Sequence, residues 1–520
     1  MTSAAADPGA LLRDIHAGFR GVHTAAYRTG GAQLSYDQLY HASLALAARL
    51  VDLPADPGPV LIWGHKDPRY MIAYWACLLA GRPLVPTERD TPPERLRQIA
   101  AGCAARAVLV AEPDPGDLAH VSAAMADPAL PVWSVDLDPQ PAGASVAVPR
   151  ALPPVTAKDV AYIMFSSGTL GQPKGIQVSY GNLADFILWQ QGLLAEASFE
   201  AVSGTIRHCF DVSLFELWSA WQRRCPITAL NHAEFANSTA YIQRLRADGV
   251  GLWVSTPSIM RLMLRNRRFH HETLPALSTF LFCGEALSKQ VVETLFERFP
   301  GCRVINTYGP TECTVAVTSV EITRAHLDAP QDLPIGSARA GTRLVATPGP
   351  LRGEIEIEGA SVGLGYLNLP EKQAAAFPRP NCYRTGDRGR VTPGGLWYFE
   401  GRIDREIKVQ GVRVDLDDIE AHIRRQPGIE DAVVEPYVLR GEARALNAYV
   451  FGAHTTAALG ALAEQMARDL PPYLVPRFWY AGFESGLNRN SKIDRAWLAE
   501  AAKTASHRHV HSPSSLETPS

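Results

Sequence analysis

The amino-acid sequence predicts an α/β protein: a large N-terminal domain of layered sheets and helices, followed by a small α+β domain. Three observations carry that expectation. Up to about residue 400, short β-rich runs alternate with helical patterns, "RAVLVAE" before "GDLAHVSAAMA" and "GLWVSTP" before "SIMRLMLRNRR". Such alternation builds largely parallel sheets covered by helices. After "WYFEGRIDREIKVQGVRVD" the pattern changes to a helix from about Asp417, strands "DAVVEPYVL" and "LNAYVFG", and a helix near 457–470. A length of 520 residues also exceeds the usual size of one domain.

The expected division is an N-terminal core over 1–403, a small C-terminal domain over 404–505, and a tail over 506–520. Loops near 56, 113 and 138–155 are rich in Pro, Asp and Gly and mark surface connections. The tail, "SHRHVHSPSSLETPS", has almost no apolar content and is expected to be disordered, its three histidines a solvated run rather than a metal site. A net charge of −3 gives no sign of a polyanion-binding surface. The longest apolar runs, such as "MIAYWACLLAG", are too short to span a bilayer, and the start "MTSAAADPGALLRD" lacks the basic and apolar segments of a signal peptide. The expected location is cytoplasmic. The eight cysteines stand alone, without metal-ligand spacing, as befits reduced thiols.

Chemistry enters at "YIMFSSGTLGQPKG", residues 162–175, where an apolar strand delivers hydroxyls, glycines and a lysine to one loop. Small residues let backbone N–H groups turn toward an anion, and Ser166, Ser167, Thr169 and Lys174 add hydroxyl donors and a positive charge. This is phosphate-handling chemistry but not the Walker pattern, because the lysine follows a proline and no Ser or Thr comes after it to hold a metal. On its own, the stretch is also compatible with an ordinary Gly-rich loop.

Further stretches follow in a fixed order: "FDVSLFELW" at 210, "FLFCGEALS" at 280, "NTYGPTECTVAVTSVEIT" at 306, "GEIEIEGASVGLGYLN" at 353, "YRTGDRGR" at 383, "GRIDREIKVQGVRVDLDDIE" at 401 and "NRNSKIDR" at 488. Over roughly residues 34–500 this ordered set resembles the adenylate-forming superfamily, specifically amino-acid adenylation enzymes of the nonribosomal-peptide type. Its motifs are most similar to those of D-alanine–carrier protein ligases. The resemblance implies attack of an amino-acid carboxylate on the α-phosphate of ATP, loss of pyrophosphate, and transfer of the acyl group to a phosphopantetheine thiol. Charge gathers at phosphorus or a carbonyl in each step, so catalysis rests on positioning and electrostatics.

By the same resemblance, Ser166, Ser167, Gly168, Thr169, Gly171 and Lys174 embrace the β- and γ-phosphates, although Leu170 stands where the family usually has Ser or Thr. Asn306, Thr307 and Tyr308 belong to the nucleotide site, with Tyr308 against adenine; Thr311 approaches the α-phosphate and Glu312 holds Mg²⁺. Asp387 accepts the ribose hydroxyls, and Arg402 is a second ribose or phosphate contact. Lys492, in "NSKID" where the family has "NGK", brings the substrate carboxylate and the α-phosphate together. Asp404 is the hinge about which a mobile small domain rotates, bringing Gly411 beside the pantetheine channel for thiolation.

Asp211 matches the aspartate that pairs with a substrate ammonium, its alternative being a helix cap. The pocket is expected to be lined by Val212, Phe215, Ser255, Leu281, Cys283, Gly284, Thr307, Val315 and Ala316. Cys283 is either a stereochemical wall or buried filler. No charge faces the side chain and Phe215 with Leu281 leaves little room, so the expected substrate is small and apolar, alanine first, of either hand. Too little sequence follows "KIDR" for a carrier domain, so the carrier protein is expected to act in trans, in cell-wall D-alanylation or specialised-metabolite (antibiotic) biosynthesis. The alternatives are an acyl-CoA synthetase of the same superfamily, against which Asp211 argues, and a catalytically silent amino-acid-binding protein.

Overall fold

The computed structural model describes residues 7–53, 58–125, 127, 129–137, 152–166, 173–231, 237–403, 405–409, 412–429, 431–439, 442–451, 455–482, 498, 502–503 and 505–512. The chain forms two compact units that divide in sequence after Ile403; the second also takes in Asp90–Ile99 and Ser166–Lys174.

Parallel pairing dominates the first unit, as the β/α alternation requires. One sheet has seven strands, in the order Gly365–Tyr366, Lys174–Ser179, Val160–Ser166, Leu84–Glu88, Val60–Gly64, Ala107–Val110 and Val132–Ser134. "VLIWG" at 60–64 is buried at every position, the signature of a strand covered on both faces. The second sheet has nine strands, running from Ser337–Ala338 through Thr318–Ile322, Arg303–Tyr308, Thr279–Phe282, Leu252–Ser255, Val202–Gly204, Ile227–Ala229 and Ala25–Arg28 to Gln33–Ser35. Helices Tyr36–Val51, Arg69–Leu79, Tyr180–Leu193 and Ser213–Arg223 contribute to one core, which holds Trp75, Trp218 and Trp221 with ring centroids 4.9–5.5 Å apart. Two of these helices start on reciprocal caps, Ser35 with Gln38 and Ser179 with Asn182. An antiparallel sheet of Thr342–Pro348, Arg352–Gly359, Cys382–Val391 and Trp397–Arg402 completes the unit.

The second unit pairs Glu406–Val409 with Val412–Asp415 and carries helices Leu416–Arg424 and Thr456–Asp469. Its four-stranded sheet has the order Asp431–Leu439, Glu442–Phe451, Phe478–Ala481 and His507–Val510. The last strand corrects the expectation of a disordered tail from 506: His507–Val510 pairs antiparallel with Phe478–Ala481. His507, His509 and His511 are half-buried while Arg508 and Val510 are exposed, so the histidines are the inward face of a strand rather than a solvated run. Among the described residues no helix is long and apolar enough to cross a membrane.

Candidate active site

Adjacent antiparallel strands place Asp387 directly opposite Arg402. Arg402 Nη1 donates to Asp387 Oδ1 at 2.6 Å and to the Thr385 carbonyl at 2.7 Å. The Tyr308 hydroxyl, arriving from the end of Arg303–Tyr308, donates to Asp387 Oδ2 at 2.5 Å. The Asp387 N–H is taken by Thr385 Oγ1 at 2.9 Å, which fixes the backbone beneath the carboxylate. Burial, and next the Asp387 charge, push the Tyr308 phenol far above its ordinary range, so it stays a neutral donor. The Phe399 ring lies 6.5 Å from the Tyr308 ring. The result is an oriented carboxylate beside aromatic surface, suited to a ligand with a flat ring and paired hydroxyls.

Immediately after Tyr308 the chain doubles back. A Cβ on Gly309 would sit 2.5 Å from the Ala316 Cα, so only glycine fits. Thr311–Cys313 makes a single 3₁₀ turn, and Thr314 and Val315 both take left-handed φ, +57° and +71°. Glu312 is fully buried; its Oε1 accepts the Tyr366 hydroxyl at 2.8 Å, and its backbone carbonyl accepts the Gly363 N–H at 2.8 Å. Tyr383 stands behind, its hydroxyl 3.4 Å from that of Tyr366. One carboxylate with the neighbouring Thr311 hydroxyl fits the sparse protein ligation that Mg²⁺ takes alongside phosphates. Asn306 and Thr307 play a supporting part: Asn306 Nδ2 donates to the Pro334 carbonyl and Thr307 Oγ1 to the Phe282 carbonyl, each at 2.8 Å.

Asp211 lies just ahead of helix Ser213–Arg223, whose N-terminus has no side-chain cap. The Leu214 N–H goes instead to the Asp211 backbone carbonyl at 2.9 Å. Asp211 is buried beside Tyr162, whose phenol is pushed far up first by burial and then by the Asp211 charge. Val212, Phe215, Leu281, Cys283, Val315 and Ala316 belong to one continuous apolar core. Gly284 carries φ +95°, and a Cβ there would meet Thr256 and Val212 methyls at 3.5 and 3.7 Å. The Cys283 thiol points at the Val315 carbonyl, 3.8 Å away.

Ser255 is a correction. Strand parity puts Leu252 and Val254 in the core of the pocket and Trp253 in the opposite core, and Ser255 follows Trp253. Its hydroxyl accepts the Trp253 indole N–H at 2.7 Å and donates to the Thr256 carbonyl at 2.9 Å, so Ser255 is a strand-end anchor on the far face.

Within the second unit, Lys174 Nζ lies 3.9 Å from a Glu406 carboxylate oxygen, and Arg413 approaches the other oxygen at 2.5 Å. Ser166 closes strand Val160–Ser166. Ser167, Gly168, Thr169, Gly171, Asp404, Gly411 and Lys492 lie outside the described residues, as do Leu170 and Ser491.

Two supports escaped the sequence reading. Glu216, inside "FDVSLFELW", is fully buried and accepts the Thr205 N–H at 2.6 Å and the Ile206 N–H at 3.2 Å, which ties down the loop leading to Asp211. Burial raises its pKa to about 7 despite Lys66 at 4.0 Å. Tyr366 is the other; it lies in "EGASVGLGYL", but nothing local announces that its hydroxyl reaches Glu312.

The model of the AMP-binding enzyme family matches residues 16–367. D-alanine--D-alanyl carrier protein ligase of Bacillus licheniformis is 32% identical over 495 residues, covering 92% of this chain and 96% of the relative. The chain belongs to the AMP-binding enzyme family. The ligase of the same description from Listeria monocytogenes is 33% identical over 502 residues, covering 91% of this chain and 95% of its own. Among solved structures, the Vibrio cholerae adenylation domain AlmE with glycyl-adenosine-5'-phosphate has a TM-score of 0.81 at 24% identity, covering 95% of this chain and 98% of its own, a likeness of fold. A nonribosomal-peptide-synthetase protein containing adenylation and PCP domains, bound to a vinylsulfonamide inhibitor, has a TM-score of 0.78 at 25% identity, covering 96% of this chain and 86% of its own.

Proposed function

We propose that this chain is an AMP-forming ligase that activates alanine, the D-enantiomer first, with ATP and Mg²⁺ in the cytoplasm and passes it to the phosphopantetheine thiol of a carrier protein. The observation that carries the reading is that Asp211 is buried just ahead of helix Ser213–Arg223, while Val212, Phe215, Leu281, Cys283, Val315 and Ala316 all belong to the main apolar core. A buried carboxylate can pair with a substrate ammonium, and an apolar wall suits a short aliphatic side chain. The curated relatives' activity supports the hand and the acceptor.

Asp387 takes the ribose hydroxyls, displacing the Tyr308 hydroxyl, while Arg402 keeps the carboxylate oriented. Glu312, its rotamer fixed by Tyr366, and Thr311 would hold Mg²⁺, which would supply neutralisation of the charge that develops on the phosphoryl oxygens. Ser166, Ser167, Gly168, Thr169, Gly171 and Lys174 grip the departing pyrophosphate. Asp211 pairs with the substrate ammonium and so aims the carboxylate oxygen at phosphorus, and Lys492 bridges that carboxylate and the α-phosphate. Asp404 is the hinge and Gly411 the thiolation contact. Amino-acid-dependent ATP–pyrophosphate exchange across D- and L-amino acids tests the reading. D-Alanine should give the highest kcat/KM; exchange with no amino acid, or with large ones only, would overturn it.

A further inference from the structure

We infer that Lys66 and Glu216, a buried pair of opposite charges, are positioning residues for the amino-acid anchor: they fix the loop that ends at Asp211 and so set how tightly the substrate ammonium is held. The inference rests on the reading of Asp211 as that anchor, and every residue it uses lies in the first unit.

The loop runs from the end of strand Val202–Gly204 to helix Ser213–Arg223. Within it, Ile206 is gripped by both of its backbone polar groups. Its N–H donates to Glu216 Oε1 at 3.2 Å, and its carbonyl accepts Lys66 Nζ. The Thr205 N–H donates to the same Glu216 oxygen at 2.6 Å, while Thr205 Oγ1 donates to the Val254 carbonyl at 2.7 Å. Lys66 Nζ and Glu216 Oε2 are 4.0 Å apart, each side chain 1% exposed, so the two charges hold one stretch of backbone between them.

The two grips come from different places. Glu216 stands on the helix that follows Asp211, and its carboxylate closes the loop on itself; Lys66 follows strand Val60–Gly64 and ties the loop to the seven-stranded sheet. Beyond Ile206, Arg207 lies 4.0 Å from Glu88, and His208 Nε2 is 3.1 Å from the Tyr27 hydroxyl, its ring 4.7 Å from that of Tyr70. The chain then turns straight into the helix, the Phe210 N–H donating to the Arg207 carbonyl at 3.1 Å. Little slack is left between Ile206 and Asp211.

Burial lowers the Lys66 pKa and raises that of Glu216 to about 7, and each group is the first charge opposing the other's shift. A buried ion pair adds little net stability over apolar side chains of similar volume. Apolar side chains, however, could not serve the Thr205 and Ile206 N–H groups or the Ile206 carbonyl, which are buried with their residues. What the pair provides is a fixed loop, and a charged hydrogen bond to an ammonium depends on the distance and angle that such a loop sets. The nucleotide cradle at Asp387 and Tyr308 has no part in it.

The test is a double-mutant cycle read by ATP–pyrophosphate exchange with D-alanine, on the full chain, Lys66→Met, Glu216→Gln, Asp211→Asn, and the first two each combined with Asp211→Asn. Lys66→Met should raise the alanine KM about tenfold with the ATP KM within about twofold. Glu216→Gln, whose amide oxygen can still accept the two N–H groups, should raise it about threefold. In the Asp211→Asn background either change should add less than about twofold, because the anchor through which the pair acts is already gone. The same increase in both backgrounds would overturn the inference, as would an unchanged alanine KM or a parallel rise of both KM values with a lowered melting temperature, the mark of a merely structural pair. Glu216→Gln is nearly isosteric and decides alone if Lys66→Met does not fold. Wild-type alanine KM in Asp211→Asn itself would remove the reading of the anchor, a result separate from the behaviour of the pair.

Discussion

Around Asp387 the polar groups hold one another, Arg402 on one carboxylate oxygen and Tyr308 on the other; around Asp211 the walls are side chains of the main apolar core. The two halves of the candidate site therefore answer differently to change. A polar cradle standing on strand backbones can lose a contact and keep its fold. A pocket that is the edge of a core cannot change a wall without changing packing. Nucleotide binding and stability should separate by mutation, whereas amino-acid selectivity and stability should not.

The largest expected effect is on the pocket side. Asp211→Asn removes the partner of a buried ammonium, which costs roughly 2 to 5 kcal/mol and raises the amino-acid KM at least tenfold, with the ATP KM little changed. Wild-type amino-acid KM in this variant would put the anchor elsewhere.

Next comes acid sensitivity of the same core. His16 is buried, with Nε2 2.7 Å from Ser43 Oγ, and burial, then the nearby His41 charge, lower its pKa to about 3. The folded state thus holds fewer protons than the unfolded one below the ordinary histidine value. Its contribution is essentially complete above about pH 7 and is lost as pH falls toward 3, roughly 2 kcal/mol between pH 6.5 and 4.5. Chemical denaturation across that range should show the loss, and His16→Gln should flatten it; an equally steep profile in the variant would assign the acid sensitivity to other groups.

On the polar side, Asp387→Asn should weaken ATP by about 1.5 to 3 kcal/mol, the value of a charged hydrogen bond, with a melting temperature within a few degrees. A collapse in stability would make the cradle structural and erase the contrast.

The smallest effect is Cys283→Ala. Removing the sulfur should cost about 1 kcal/mol of stability and let serine-sized amino acids and the disfavoured alanine enantiomer gain by less than about tenfold. Stability loss with unchanged substrate ratios would make Cys283 packing alone.

The sequence made the layered α/β unit legible because alternation is local, and the cradle legible because each motif carries its own chemistry. Strand parity was harder. Whether Ser255 faces the pocket or Trp253 depends on the face its strand turns to each core, which the motif order does not encode. The strand at 507–510 looked disordered for a related reason: "HRHV" has little apolar content, and its stability comes from Phe478–Ala481 and Gly460, distant in sequence. Buried charges were equally silent. Arg339, with its side chain fully buried, is held by Asp185 at 2.8 Å and by the Trp189 face at 5.2 Å, two partners that no spacing rule connects to it.

The turn Thr314–Val315 bears on how such a pocket could be re-engineered. Two consecutive non-glycine residues at φ +57° and +71°, both β-branched, are an uncommon and strained conformation. Thr314 is pinned by its hydroxyl to the Ser361 carbonyl at 2.8 Å, and three residues upstream of Val315 stands Glu312. Val315 is therefore no independent dial for substrate choice. Glycine there would relax the backbone and free space beside it at once, loosening the turn that holds Glu312, while a bulkier residue would meet both steric and torsional resistance. Pocket redesign should begin on the regular strand at Leu281 and Cys283, where a side chain can change without moving the turn that carries Glu312.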